Sequence, residues 1–398
     1  MSQISPFVGL LFDRSKVGSL EQVTTPPYDV VSPAEQQRYL ETSPHNIIRL
    51  DLAEDRPGDD EVENKYRRAA CDYRRWLEQG VLRPTPRRAY YPYEMRFSLH
   101  GQARRIRGLV CALELEDWGG SIVPHEHTMS GPVGDRLQLM RSLPANLSSI
   151  HAVLTAPCPE LEGFLERSTQ GEPEAELSDE QGVQHRLWVA TDGGRLVQEL
   201  GQRTMMIADG HHRYTTALLF RDEMRARRGP GPWDQVMTLV VDAASEDLPV
   251  LPYHRVLPQG RVPTAGTPVR DLLEVLEAVD DDRPTYGIAV REGGGLIHRV
   301  AALTGDPPAV CALHEEILGP EEEGLWFTPD AIEAEDAVRA GHAAAAFFLP
   351  PTTASRIRMV VDRGHRLPRK STYFWPKPRT GLVLRPLEII PPAPPPAS

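Results

Sequence analysis

The densest group of side chains that could do chemistry is the run Asp209-Gly210-His211-His212-Arg213. It follows a short apolar segment, TMMIA, and precedes a segment whose apolar residues recur at helical spacing. A strand followed by a helix would place this run at a helix N-terminus, with Asp209 positioned to cap the helix and Gly210 permitting close backbone approach. Such an end binds phosphate, and arginine and histidine add donors. The run therefore predicts a phosphate-binding site, the alternative being an ordinary cap with a satisfied polar cluster.

A second polar group lies in a long loop with the sequence PHEHT. A carboxylate beside imidazoles can act as a general base, so Glu126 is a candidate base with His125 or His127 as its orienting partner. Alternatively, the two imidazoles could ligate a metal ion together with Asp209 and His211. The H-E-H spacing differs from the helical H-E-x-x-H arrangement of zinc proteases, and a solvated polar loop is a further alternative.

Three other segments carry single candidate residues. Arg49 lies in HNIIRLD, which predicts a short strand with polar ends, and Asn146 lies in ANLSS at a helix-to-strand connection. Lys370 opens a basic-aromatic stretch, KSTYFWPK, which could hold phosphate and stack a base. The alternatives are that Arg49 is an ordinary polar residue at a strand end, that Asn146 caps a helix, and that Lys370 belongs to a docked C-terminal strand.

Composition excludes several classes of protein. The 398 residues carry 44 Lys and Arg against 56 Asp and Glu, a net charge of −12, which argues against a duplex nucleic-acid binder. No segment approaches about 18 consecutive apolar residues, and the N-terminus lacks the basic and apolar regions of a signal peptide. We therefore expect a cytoplasmic protein without membrane or nucleic-acid partners. Whether it forms a homodimer is left open.

The pattern of elements predicts an α+β fold with mixed sheets and flanking helices, because helices and strands do not alternate evenly. A capping box at Ser32 and Glu35 marks one helix start. The other main helices are expected at 60–79, from 135, and at 211–228, 330–340 and 352–360. Strands are expected at 7–12, 88–99, 105–117, 150–155, 185–190, 204–208, 235–242, 251–257, 286–291, 297–303 and 343–349.

Changes in composition divide the chain into four parts. Residues 1–87 form an N-terminal α/β segment, and 88–260 form a central α+β region that contains both polar groups. Residues 261–390 form a C-terminal α/β region, and 391–398 are a disordered proline-rich tail. Within the central region, 168–183 is an acidic, turn-rich insert that predicts an exposed loop or linker. Whether this insert is a lid is left open.

Six segments, spread from about residue 6 to 385, resemble the bacterial and archaeal family called domain of unknown function 1015. They are PPYDVVS, HNIIRLDL, VPHEHTMSGPVGDRL with ANLSSI, MIADGHHRYTTAL, LPYHRVL and KSTYFWPKPRTGLVL. The resemblance covers nearly the whole chain, and the name of the family implies no activity.

The D-G-H-H-R motif is also similar to the ParB/sulfiredoxin-like superfamily. Its free serine kinases hold nucleotide phosphates with such a motif, and an upstream P-H-E-type segment supplies a catalytic glutamate. The similarity implies a ParB/sulfiredoxin-like core around the motif, with additional α/β elements and an insertion between the two motifs. Sulfiredoxin itself is disfavoured because this chain has Asp209 or its neighbours where a cysteine is needed, and the arginine-rich motif of ParB partition proteins is missing.

The similarity implies a small-molecule kinase that transfers a phosphoryl group from ATP or ADP to a free amino acid, serine first, giving O-phosphoserine. It assigns phosphate binding to Asp209–Arg213 and catalysis to Glu126 with His125 and His211. Mg²⁺ is the expected cofactor, held by Asp209 through water. The remaining substrate or nucleotide contacts are assigned to Asn146, Arg49 and Lys370. A metal-dependent phosphatase or hydrolase and a non-catalytic nucleotide-binding regulatory module are the alternatives.

Overall fold

The chain divides into two compact units. The computed structural model describes residues 3–126, 130–154, 156–194, 196–244, 248–260, 262–319 and 324–388. The larger unit comprises Met1–Val123, Thr128–Asp247 and Pro376–Ser398, and the smaller unit comprises Pro124–His127 and Leu248–Trp375. The sequence predicts consecutive parts with boundaries near residues 87 and 260, and that division stays a prediction. The expected tail at 391–398 lies outside the described residues.

Six α-helices of the described residues lie where the sequence predicts helices, with differences mainly at their ends, and the other six were not predicted. The helices are α1 Arg14–Val17, α2 Pro33–Thr42, α3 Ile48–Asp51, α4 Lys65–Glu78, α5 Ser130–Ser142, α6 Pro159–Ser168, α7 Leu196–Leu200, α8 His211–Arg228, α9 Leu272–Ala278, α10 Ala309–Leu313, α11 Ala331–Arg339 and α12 Ala354–Asp362. Within the described part of the chain, none of them is long and apolar enough to cross a membrane.

The strands confirm the mixed α+β class. They are β1 Ile4–Ser5, β2 Leu10–Phe12, β3 Leu82–Pro84, β4 Tyr91–Leu99, β5 Gln102–Glu114, β6 Ile122–Pro124, β7 Ala145–Asn146, β8 Ile150–Leu154, β9 Ala175–Ser178, β10 Gln184–Leu187, β11 Met205–Asp209, β12 Gln235–Asp242, β13 Val250–Leu251, β14 His254–Leu257, β15 Thr267–Val269, β16 Thr285–Glu292, β17 Gly295–Ala302, β18 Trp326–Thr328, β19 Ala345–Phe348, β20 Tyr373–Phe374 and β21 Arg385–Pro386.

A nine-stranded sheet is the main feature of the larger unit. Its order is β6-β11-β8-β12-β5-β4-β10-β9, and β1 pairs with the far end of β5. Strands β8 and β12 are parallel, whereas β11 is antiparallel to β8, and β5 is antiparallel to both β12 and β4. Every residue of β8 and β11 is buried, which fits their mostly apolar sequences, with His151 and Asp209 as the polar exceptions.

Helices α6, α7 and α8 cover the core of the larger unit. Leu161 and Phe164 of α6, Leu200 of α7, and Tyr214 and Ala217 of α8 pack in one cluster with buried side chains of the sheet. Burial of such apolar surface is the main stabilising contribution to the fold. Helix α8 is thereby held against the sheet, and a single residue separates its start from the end of β11.

The smaller unit contains a six-stranded antiparallel sheet of order β15-β17-β16-β19-β14-β18. Val275 of α9 and Val338 of α11 pack with Ala289, Ala346 and Phe348 of this sheet in a second buried cluster. A separate two-stranded pairing joins β13 to β20, so that residues 373–374 are tied to residues 250–251.

Local signals at helix ends are confirmed where the side chains supply the expected bonds. Glu35 accepts from the backbone N–H of Ser32 at 2.9 Å, and the Ser32 hydroxyl accepts from the Glu35 N–H at 3.3 Å, which completes the capping box. Helix α8 has the expected bounds. It ends at Gly229, which has a φ of 76°.

Two of the predicted elements differ in kind from the structure. The segment around Arg49 is helix α3 and not a strand, because the Asn46 side chain accepts from the Ile48 N–H at 2.9 Å and starts a helical turn. The acidic insert 168–183 is not wholly a loop, since it contains β9, which pairs with β10 at the edge of the sheet. Alternation of buried and exposed residues over Ala175–Ser178 was the overlooked signal.

Candidate functional site

The junction between β11 and α8 depends on one glycine. Gly210 lies between the last residue of the strand and the first residue of the helix, with a left-handed φ of 92°. A Cβ at this position would also lie 3.1 Å from the guanidinium carbon of Arg213. Both the backbone angle and the close contact therefore favour glycine here.

Asp209 does not cap α8, contrary to the sequence prediction. Its carboxylate accepts from Lys377 and from Arg213, and the helix N-cap is Gly210. Burial opposes ionisation of Asp209, but the charges of Lys377 and Arg213 outweigh it and hold the pKa of this carboxyl below its usual range. The buried carboxylate is thus an anchor for two cations at the start of the helix.

Arg213 is fixed by a second set of contacts on the opposite side. Its Nη1 donates to the Ser148 hydroxyl at 3.1 Å and to the Ser149 carbonyl at 2.5 Å. With Asp209 accepting from Nη2, the guanidinium is held in one orientation, and its side chain is only 10% exposed. A cation held this way loses little entropy when it meets an anion.

Two histidines occupy the first turn of α8. The His211 ring is buried and lies 6.5 Å from the ring of Trp118 at an interplanar angle of 25°, while His212 is half-buried. The described side chains include none that caps this helix. The first turn therefore combines the partial positive charge of the helix end with imidazole and guanidinium donors, an arrangement that suits phosphate.

A buried ion pair lies beside Arg213 in the same unit. Arg136 of α5 donates to Asp51, the last residue of α3, through Nη1 at 3.2 Å from Oδ1 and 2.5 Å from the backbone carbonyl. Its guanidinium carbon also lies 4.1 Å from the ring centre of Tyr28. Asp51, Arg136 and Arg213 line a common cavity of about 40 Å³.

Asn146 and Arg49, the expected substrate contacts in this unit, hold structural contacts. The Asn146 side-chain oxygen accepts from the Met237 N–H at 3.0 Å and from Arg385 at 3.2 Å, and the residue lines the cavity. Arg49 donates to the carbonyl of Leu40 in α2 and to that of Ser43 just after it, and it lies outside the residues that line the cavity. Their roles in binding stay predictions.

Glu126 lies in the smaller unit, where the segment 371–372 holds it. Its Oε1 accepts from the Ser371 N–H at 3.0 Å, the Thr372 N–H at 3.1 Å and the Thr372 hydroxyl at 2.9 Å. The hydroxyl is in turn 2.7 Å from Nε2 of the buried His125. Because the single Thr372 proton goes to Glu126, the histidine donates. His125, Thr372 and Glu126 form one chain of hydrogen bonds.

Two further candidates belong to the smaller unit, and the structure describes only one of them, Lys370. Lys370 has a positive φ of 53°, its Nζ lies 5.2 Å from the ring centre of Tyr253, and its carbonyl accepts from Arg255 at 2.9 Å. Its role in binding stays a prediction. His127, the second imidazole of the loop, lies outside the described residues.

Sequence reasoning missed four residues of these clusters: Asp51, Arg136, Thr372 and Lys377. Each lies within one of the segments on which the family resemblance rests. The resemblance of those segments could therefore have pointed to these residues, whereas their residue types alone could not. A carboxylate, a guanidinium or an ammonium group that is fully buried needs a partner of opposite charge, and the sequence does not show which charges are buried.

Comparison with solved structures gives weak similarity. A free serine kinase in complex with AMP is 12% identical, with a TM-score of 0.35 over 64% of this chain and 83% of that chain. A conserved hypothetical protein from Pyrococcus furiosus is 12% identical, with a TM-score of 0.35 over 65% and 90%. SbnI from Staphylococcus aureus, truncated at its C-terminus, is 12% identical, with a TM-score of 0.35 over 65% of this chain and 82% of that chain.

Sequence comparison gives a clear assignment. No curated protein matches the chain significantly. A family model described as protein of unknown function (DUF1015) matches residues 4–317, which contain five of the six segments noted above. The expected family is confirmed: the chain belongs to the DUF1015 family.

Proposed function

We propose that this protein is a small-molecule kinase that transfers a phosphoryl group from ATP or ADP to the hydroxyl of a free amino acid, serine first. The observation that carries the proposal is the start of α8, where a left-handed Gly210, a helix N-terminus and the fixed guanidinium of Arg213 come together. Phosphoryl transfer depends mainly on positioning and on neutralising charge, which are the properties of this arrangement.

In this proposal the first turn of α8 holds the phosphates of the nucleotide. His211, His212 and Arg213 neutralise the charge on the transferred group. Asp209 acts indirectly, because its ion pairs with Lys377 and Arg213 fix the cations at the helix start. It is thus a positioning residue.

Glu126 is the proposed general base. It takes the proton of the substrate hydroxyl while that oxygen bonds to phosphorus and the bond from phosphorus to the leaving oxygen breaks, which releases ADP from ATP or AMP from ADP. Three donors on Oε1 fix the orientation of the carboxylate. His125 supports that orientation through the Thr372 hydroxyl.

The residues present do not form a Mg²⁺ site by themselves. Both carboxylate oxygens of Asp209 accept from cations, and the described residues contain no group of three or more His, Cys, Asp or Glu that could hold a metal. Mg²⁺ held at Asp209 through water stays a prediction, and no step is assigned to a metal. A metal ion would enter with the nucleotide, bound mainly by its phosphates.

The proposal also includes the fold of the core, the cellular location and the binding partners. We propose a ParB/sulfiredoxin-like core around Asp209–Arg213, a cytoplasmic location, and a nucleotide and a small amino acid as the partners.

Product analysis tests this function. Purified protein is mixed with L-serine, a magnesium salt and either ATP or ADP, and O-phosphoserine is sought by mass spectrometry. We expect product with one of the two nucleotides. Absence of product, with nucleotide still raising the melting temperature, would contradict serine as acceptor and leave nucleotide binding supported. Absence of both effects would contradict the whole proposal.

A further inference from the structure

A small cavity lies in the larger unit next to Arg213. It is lined on its polar side by Asp51, Arg136, Asn146, Ser148 and Arg213. Its other walls are mostly apolar and come from α5, from the segment that leads into β8, and from Thr216 of α8 and Val236 of β12. The volume of about 40 Å³ is that of one or two water molecules, so it suits the charged head of a small ligand and is too small for a nucleobase.

One oxygen of Asp51 has no partner within the described part of the chain. Oδ1 and the backbone carbonyl both accept from Arg136, whereas Oδ2 is buried and accepts no hydrogen bond. Asp51 is only 4% exposed. A buried carboxylate oxygen without a donor costs about 1–3 kcal/mol, so such an atom calls for a ligand that donates.

The charges around the cavity identify the class of ligand. Asp51 contributes a carboxylate to the lining, while Arg136 and Arg213 contribute two guanidinium groups that also pair with Asp135 and Asp209, respectively. A simple cation would be attracted by Asp51 and repelled by the two arginines. A simple anion would be attracted by the arginines and repelled by Asp51. A zwitterion with adjacent ammonium and carboxylate groups satisfies both.

We propose that this cavity binds the charged head of the amino-acid acceptor, with Asp51 Oδ2 accepting from the α-ammonium group and the two arginines favouring the α-carboxylate. The proposal rests on the proposed kinase function for its substrate, and it adds the residue that selects an amino acid over a simple hydroxy acid. Arg213 would serve both the phosphate site and the acceptor site, which joins the two within one unit.

The electrostatics of Asp51 agree with this role. Burial raises the pKa of this carboxyl, the charges of Asp29 and Asp135 add to the rise, and those of Arg136 and Arg213 oppose it without cancelling it. An ammonium group beside Oδ2 would stabilise the ionised form. Binding of an amino acid is therefore expected to release protons when the pH is near the raised pKa of Asp51.

The first test compares ligands on the unaltered protein. Calorimetry measures the binding of L-serine, L-threonine and L-homoserine, and then of ethanolamine, which lacks the carboxylate, and 3-hydroxypropionate, which lacks the ammonium group. We expect one of the amino acids to bind at least about tenfold more tightly than 3-hydroxypropionate. Equal affinity for 3-hydroxypropionate, or no binding of any of the amino acids, would overturn the proposal.

The second test uses Asp51→Asn, which keeps the side-chain volume and an acceptor for Arg136. We expect the variant to bind the amino acid about tenfold to a hundredfold more weakly and to lose the preference over 3-hydroxypropionate. Asp281→Asn is the matched control, because Asp281 is another buried aspartate paired with an arginine, Arg356, and belongs to the smaller unit. An unchanged preference in a folded Asp51→Asn would overturn the proposal.

Failure of this inference and failure of the kinase function give different results. If an amino acid binds and its binding needs Asp51, but no phosphorylated product forms, the proposed ligand of the cavity is supported and the proposed kinase function is contradicted. Phosphorylation of serine with the same KM in Asp51→Asn as in the unaltered protein would support the kinase and overturn the cavity. If Asp51→Asn does not fold, as judged by its melting temperature, the ligand comparison on the unaltered protein decides.

Discussion

At the scale of single residues, the candidate chemistry depends on side chains whose orientation is set by neighbours. Arg213 is held by Asp209 and by the segment 148–149, and Glu126 is held by two backbone N–H groups and the hydroxyl of Thr372. Groups held in this way are ready for a ligand or a transition state before it arrives. Two substitutions test whether these residues have the proposed roles.

Glu126→Gln is expected to leave nucleotide affinity within about twofold and to lower kcat by roughly a hundredfold or more, because the amide cannot take the substrate proton. Kinetics and nucleotide calorimetry on the same preparation measure both effects. Glu316→Gln is the matched control, since Glu316 also accepts from two consecutive backbone N–H groups, those of Thr304 and Gly305 at 2.7 Å. Equal loss of nucleotide affinity and turnover in Glu126→Gln would contradict its assignment as the base.

Gly210→Ala is expected to weaken nucleotide binding at least about tenfold, because a Cβ strains the left-handed backbone and displaces the Arg213 guanidinium from its present contacts. It should also cost about 1–2 kcal/mol of stability. Gly229→Ala, at the other end of α8, adds a Cβ at a φ of 76° with nothing within 4 Å. This control should lose stability and keep nucleotide affinity. Equal affinities in the two variants would show that the start of α8 does not bind the phosphates.

At the scale of elements, the C-terminal segment completes the larger unit. Arg385 of β21 donates to the carbonyls of Gln235 and Pro232 at 2.9 and 2.7 Å, and Lys377 pairs with Asp209 at the end of β11. The last part of the chain thus supplies one cation, Lys377, to a junction that lies more than 160 residues earlier in the sequence. Its loss would expose buried charge as well as apolar surface.

Lys377→Met should lower the free energy of unfolding by about 3 kcal/mol, since it leaves Asp209 buried with one cation in place of two. The double variant Asp209→Asn with Lys377→Met should recover part of this loss because it removes the unpaired charge. Urea unfolding of the single and double variants gives the coupling. Strictly additive losses would mean that the two side chains do not interact.

The elements could be predicted from sequence where a local signal decides them. The capping box at Ser32 marked the start of α2, apolar residues at helical spacing marked α8, and the short apolar segment TMMIA marked β11. The short helix α3 was missed because its three bulky apolar residues, Ile47, Ile48 and Leu50, fit strand and helix alike. Its conformation is decided by the Asn46 side chain.

The same limit applies to the candidate site. The run Asp209–Arg213 was recognisable because several polar residues are adjacent in the sequence. The partners Lys377, Asp51 and Arg136 are distant along the chain, and only the fold brings them to the same place as Arg213. Asp209 was expected to cap because an aspartate before a helix usually does, but the distant lysine and the arginine one turn later compete successfully for its carboxylate.

At the scale of the whole molecule, an acidic protein keeps several of its positive charges inside. The net charge is −12, yet Arg136, Arg255, Lys377 and Arg385 are all buried. Local cations can therefore bind an anionic ligand although the molecule as a whole would repel it. The interior also holds neutral imidazoles, and these make stability depend on pH.

Stability is expected to fall in mild acid because of His151, which is fully buried. Burial lowers the pKa of this imidazole from 6.5 to about 4, with Lys377 and Arg213 adding to the effect and Asp209 opposing it. A lowered pKa means that the contribution to stability is complete above pH 6.5 and is lost as the pH falls toward 4. The loss between pH 7 and pH 5 should be about 2 kcal/mol.

Urea unfolding at the two pH values measures this loss, and a nuclear magnetic resonance titration of the imidazole measures the pKa of His151 directly. His151→Asn is the comparison, since it cannot take up the proton and should lose less stability between pH 7 and pH 5. A titration of His151 near its ordinary value, or an equal loss in the variant, would contradict the expectation.

The central claim is that the start of α8 binds the phosphates of a nucleotide. The most direct measurement follows the backbone amide resonances of selectively ¹⁵N-labelled histidine and arginine while ADP, pyrophosphate or adenosine is added. The amides of His211, His212 and Arg213 should shift with ADP and with pyrophosphate and stay in place with adenosine. If ADP binds and these amides do not move, the phosphates lie elsewhere and the claim is contradicted.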